Sequence, residues 1–165
     1  MVDSLLVPVT APRSSPRATR ATLNKLLVAA RDESIALHEA VRYVDGTEAR
    51  RWLLQLALRR DAVQRDLAND VVNLGGAPAR ALSFRARWGS WQRAVSRLLL
   101  GPHQGDAYDC CARAAARTSR AYSAAVDSTS KDDVRQRLER ELVEVDRECD
   151  QLRNLRWGAP LAARP

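Results

Sequence analysis

Between Leu23 and Val44 apolar residues return every three or four positions: Leu23, Leu27, Ala30, Leu37, Val41 and Val44, with Ser34 on the same stripe. That spacing keeps one face of an α-helix apolar and predicts an amphipathic helix from about residue 21. Asp45-Gly46-Thr47 interrupts it, and Thr47 suits the cap of a following helix. The next stripe, over about 48–74, carries Leu53, Leu56, Arg60, Val63, Leu67, Val71 and Leu74. Gly75-Gly76 and then Pro78 stop it, because glycine takes the left-handed conformation past a helix end.

A shorter pattern at 85–100 holds Trp88, Trp91, Val95, Leu98 and Leu99, and Gly101-Pro102 ends it. A third long helix is predicted over about 105–126, with Tyr108, Cys111, Ala112, Ala115, Ser119, Tyr122 and Val126 facing inward. The last opens at Ser130 and ends near Trp157. Its stripe is Val134, Leu138, Leu142, Val145, Cys149 and Leu152, and Asp132 and Asp133 suit the positive end of its dipole.

No strand alternation interrupts these patterns, so the fold class is all-α. Short turns at the first and last junctions predict antiparallel pairs in a four-helix bundle. The link between the second and third long helices has its own short helix. It is long enough to let the third helix run parallel to the second, the crossover of ferritin-like folds. Pro8, Pro12 and Pro16 among serines and arginines mark 1–20 as a flexible extension. The bundle domain is expected over 21–157, with 158–165 as a tail.

Composition narrows the setting. A chain of 165 residues suits one domain with a real core. It has no apolar run of the roughly 20 residues a membrane span needs. Asp3 and the lack of a basic leader argue against a secretory signal. Three cysteines cannot all pair within the chain, so a reducing cytoplasm is the expected compartment. The net charge of +7 is spread among acids without a block of like charges, the pattern of a solvated surface.

The stretches LNKLLVAARDESIALHEAV and ANDVVNLGGAP, the Trp-bearing short helix, the Cys111-Ala112-Arg113 run and the closing DQLRNLR carry a resemblance. Over about residues 21–157 the chain resembles a ferritin-like four-helix-bundle family of small bacterial hypothetical proteins, a domain of unknown function. The resemblance implies a ferritin-like bundle with no established activity. It also implies Glu at the positions of Ser34 and Ala115, and His at that of Cys149.

Ferritin-like metal proteins supply a Glu from each of two helices and a Glu-x-x-His pair from each of the others. This chain has no Glu-x-x-His, and its histidines are His38 and His103. At about 100° per residue, Ser34, Arg60, Ala115 and Cys149 fall at the centres of the four stripes. An arginine there repels a divalent cation in a low-dielectric interior, so no metal, cofactor or catalytic residue is expected. Arg60 has three readings: an interior pair with Glu33, Glu141 or Glu148, a stem that snorkels to solvent, or an anion pocket.

Cys110 and Cys111 point about 100° apart and cannot share one ion. Cys111 and Cys149 are read as core fillers and Cys110 as outward-facing. Arg85, Arg87, Trp88, Trp91, Arg93 and Arg97 form a candidate surface patch, in which arginine and tryptophan could grip a nucleic acid. No recognised nucleic-acid motif accompanies them, which disfavours that partner. The expected function is thus a non-catalytic bundle acting through packing surfaces, as a homo-oligomer or with a protein partner and without a membrane. A dinuclear iron or manganese oxidase or storage protein using Glu33, Glu141, Glu144 and Glu148 is the alternative. Binding of nucleic acid or another anionic partner through the basic tail and residues 80–97 is the second.

Overall fold

Ser15 and Pro16 start the first helix in the computed structural model, which describes residues 15–80, 104–129 and 131–156. The Ser15 hydroxyl accepts a hydrogen bond from the Ala18 amide at 3.3 Å, and Pro16 has the fixed φ that suits a first turn. Helix α1 therefore spans Pro16–Ala40 and begins inside the stretch that proline spacing assigns to an extension. Helix α2 spans Thr47–Asn73, α3 Gln104–Ser128 and α4 Asp132–Arg156. Among the described residues these four helices are the only regular elements. The predicted short helix at 85–100 lies outside the described residues.

Glycine sets both ends of α2. Gly46 precedes Thr47 at φ 88°, so Thr47 is the first helical residue and not the cap. Gly75 takes φ 73°, and the Gly76 amide then reaches back to the Val71 carbonyl at 2.9 Å. A Cβ at Gly76 would stand 3.0 Å from the Arg20 side chain and 3.1 Å from Val71.

Contacts fix the helix directions. The Thr19 hydroxyl at the start of α1 donates to the Ser128 carbonyl at the end of α3, at 2.8 Å. At the opposite end, the Cys111 thiol donates to the Ala36 carbonyl at 3.5 Å. Helices α1 and α3 are therefore antiparallel. So are α1 and α2, which a short turn joins, and α2 and α3 consequently run the same way. The order around the bundle is α1, α2, α4, α3.

Two apolar clusters fill the interior. One holds Leu37, Ala40, Val44, Leu53, Leu56, Tyr108, Cys111, Ala115, Cys149 and Leu152, the other Leu23, Leu27, Val63, Leu67, Val71, Tyr122, Leu138 and Val145. Helices α1 and α3 contact each other, and their share of the first cluster is rich in alanine (Ala36, Ala40, Ala112, Ala114 and Ala115), which leaves little side-chain bulk to hold the backbones apart. Cys110 is half-buried against the first cluster and does not point cleanly to solvent. No helix among the described residues is long and apolar enough to cross a membrane.

After α2 the chain turns onto the flank of α1. Arg20 donates to the Gly75 carbonyl at 2.8 Å and Arg31 to the Ala79 carbonyl at 3.0 Å. Between them Asn24 works as a pincer, donating to the Ala77 carbonyl at 3.1 Å and accepting from the Ala79 amide at 2.7 Å. One side chain thus answers two backbone groups of this segment, a carbonyl and an amide. Asn24→Ala should lower stability by about 1–2 kcal/mol, the net worth of two such bonds. Urea denaturation checks this, and an unchanged midpoint would mean that Asn24 does not hold the strap.

Candidate functional site

Halfway along the bundle, between the two apolar clusters, lies a layer of charge. Arg60 of α2 is 2 % exposed, so its guanidinium stays inside. Its Nε stands 3.0 Å from Glu33 Oε1 of α1, and its Nη2 donates to Glu148 Oε2 of α4. Glu33 is 1 % and Glu148 5 % exposed. Such burial is tolerable only because the charges meet one another. The neighbouring arginine extends the layer: Arg59 Nη1 donates to Glu148 Oε1 at 2.8 Å and to Glu144 Oε2 at 3.3 Å. Three buried atoms among the described residues lack a well-aligned hydrogen-bond partner: Glu33 Oε2, Arg60 Nε, which meets Glu33 as an ion pair, and Arg137 Nε.

Electrostatics follow from this packing. Burial alone would drive protons off Arg60, but the charges of Glu33 and Glu148 outweigh it, and its pKa lies above the ordinary guanidinium value. Burial raises the Glu148 carboxyl above its usual range, and Arg60 and Arg59 only partly oppose that. Tyr122 of α3 completes the layer and donates to Glu141 Oε2 at 2.7 Å. Burial, helped by the Glu141 charge, pushes its phenol far up and keeps it neutral.

Glu141 is engaged elsewhere than at Arg60. It receives Tyr122 and stands 3.8 Å from Arg137 Nε, while Arg137 Nη2 donates to Asp70 of α2. The sequence pattern centres Ser34 and Cys149 on their stripes, but their acidic neighbours Glu33 and Glu148 supply the interior charge. Ser34 is buried and turned toward α2, where its hydroxyl donates to Asp61 Oδ1 at 2.5 Å. His38 Nε2 lies 3.1 Å from Asp61 Oδ2, with both side chains more than two-fifths exposed. Burial acts to raise the Asp61 carboxyl, yet bonds from Ser34 and His38 hold it below its ordinary value. In this trio the acid sits between serine and histidine. Serine hydrolysis needs the imidazole against the hydroxyl, so the trio does not make that nucleophile.

Ala115 is fully buried in the first apolar cluster. The Cys149 thiol donates to the Ala112 carbonyl at 3.6 Å, and burial raises its pKa, which makes it a poor thiolate. Among the described residues no three His, Cys, Asp or Glu side chains converge as a metal site. The patch residues Arg85, Arg87, Trp88, Trp91, Arg93 and Arg97 lie outside the described residues, as does His103. Sequence reasoning missed Arg59 and the Arg137–Asp70 pair. The signal available was the adjacency of Arg59 to Arg60, which puts a second cation about 100° around from the first.

The chain matches no protein-family model and no curated protein. The site therefore has to be read from its own chemistry. Its middle is already charged and hydrogen-bonded, with arginine as the cation. Arg60→Ala strands Glu33 and Glu148 in the interior and should cost about 3–5 kcal/mol, the range for breaking a buried pair from one side. Chemical denaturation measures this. A loss of the size seen for a surface arginine would show that the carboxylates do not depend on Arg60.

Proposed function

We propose that this chain is a ferritin-like member of the small bacterial bundle family it resembles, and that it works without catalysis or a metal centre, through its surfaces. The observation that carries this reading is the guanidinium of Arg60, set between Glu33 and Glu148 at mid-bundle. Two interior carboxylates from different helices are the donors a divalent cation would seek. A fixed positive charge already sits between them, and adding a divalent ion beside it is opposed by Coulomb repulsion at low dielectric. The parallel course of α2 and α3, with thirty residues (74–103) between them, agrees with the crossover of ferritin-like bundles.

The surface supplies material for association. Leu54 and Leu58, one turn apart on α2, are 42 % and 57 % exposed, and Val72 adds to the same helix at 55 %. Apolar side chains at helical spacing are common anchors of helix-mediated contacts between chains. The dinuclear oxidase alternative needs Glu33, Glu141, Glu144 and Glu148 free to bind metal, whereas all four face arginines.

Full-length protein from cells grown with added iron and manganese should carry far less than one ion per chain by elemental analysis. Its mass by light scattering should exceed the 18.3 kDa of one chain. Near-stoichiometric metal, lost in Glu148→Gln, would overturn the reading in favour of the oxidase.

A further inference from the structure

The bundle consists of two hairpins, α1–α2 and α3–α4, joined by residues 74–103. Such hairpins can dock in two ways that bury the same apolar faces. In the observed one, α3 lies against α1 and α4 faces α2. Turning the second hairpin half a revolution about the line joining the two pairs would set α3 on α2 and α4 on α1. That gives an ordinary up-and-down bundle in which α2 and α3 are antiparallel.

By length alone the link permits either docking. Beyond the strap at 75–80, residues 81–103 leave 23 positions, and extended chain covers about 3.3 Å per residue. Either end of a 25-residue helix is within that reach. The large apolar residues do not decide between the two. In α3, Tyr108 and Tyr122 lie evenly about Ala115, and in α4 Leu138 and Leu152 lie evenly about Val145. Both helices therefore present much the same apolar profile either way up. The alanine-rich contact between α1 and α3 favours the observed docking, but apolar side chains repack with modest loss.

The polar residues are different. Helices α2 and α4 are bridged by long charged side chains: Arg59 to Glu144 and Glu148, Arg60 to Glu148, and Arg137 to Asp70. The buried face of α3 offers Tyr108, Cys111, Ala112, Ala114, Ala115, Thr118, Tyr122 and Ala125, without one carboxylate. In the turned docking Arg60 would keep Glu33 of its own hairpin but lose Glu148 and face that neutral surface, which leaves Glu148 as the unpaired buried charge. Glu148 would move to the side of Glu33, and Asp70 and Arg137 would part. A desolvated charge without a partner cannot be repacked away.

We propose that the charged seam between α2 and α4 selects the crossover docking of the second hairpin and rejects the up-and-down alternative. The seam acts as an orientation lock, independent of whatever the bundle surface binds. Devices of this kind break the near-symmetry of helical bundles at some cost in stability.

The test is a distance between spin labels in the full chain, placed by Gln55→Cys and Arg153→Cys in a Cys110→Ser background. Both sites are exposed and lie five residues beyond Arg60 and Glu148, so the locked protein gives one short distance. Neutralising the core layer with Glu33→Gln, Arg60→Met and Glu148→Gln should add a second population, longer by roughly 15–20 Å, because inverting α4 carries position 153 to the other half of the bundle. Asp70→Lys, which sets two cations face to face at a partly buried position, should add the same population and decides the matter if the triple variant does not fold. A single unchanged short distance in the folded triple variant, or in Asp70→Lys where the triple does not fold, overturns the proposal.

Discussion

A guanidinium 2 % exposed at the middle of a small helical bundle has to be matched, and most of the interior follows from how this chain matches it. Arg60 takes one carboxylate from α1 and another from α4, so a single side chain on α2 ties three helices at one level. Slipping any of these helices by one turn moves its group about 5.4 Å, far outside the reach of such a pair. Leucine and valine layers tolerate such slips better, because dispersion and burial are not directional. The charged layer thus fixes a register that the apolar stripes leave loose.

Two kinds of helix contact coexist in consequence. Helices α1 and α3 contact each other with faces rich in alanine. Helices α2 and α4 meet through arginines, glutamates and aspartates long enough to span a wider gap. Tyr122 belongs to the same economy: it is fully buried on α3, and its phenol reaches Glu141, so it fills volume and satisfies an acid together. An interior organised this way has its charge and hydrogen-bonding capacity largely committed to structure.

Much of the fold was legible in the chain because apolar spacing, Gly46 and Gly75-Gly76 are local signals. The start of α1 was misread because Pro16 looks like a loop residue until its place at a first helical turn is recognised. Arg60 could be picked out because it is the one charged residue on the four stripes. Its partners were harder. Glu33 and Glu148 sit one position from the stripe centres at Ser34 and Cys149, and a rotation of about 100° decides which neighbour reaches the middle. That rotation depends on packing between helices, which periodicity within one helix does not encode. The Arg137–Asp70 pair, 67 residues apart in sequence, was invisible for the same reason.

The central claim is that Arg60 is a permanently charged, solvent-shielded brace between Glu33 and Glu148. Nuclear magnetic resonance of the Arg60 guanidinium in the full chain tests it most directly. The account predicts a resolved side-chain N–H signal that exchanges slowly with water and moves when Glu148 is changed to Gln. A signal that exchanges as fast as a surface arginine, and ignores that substitution, would contradict it.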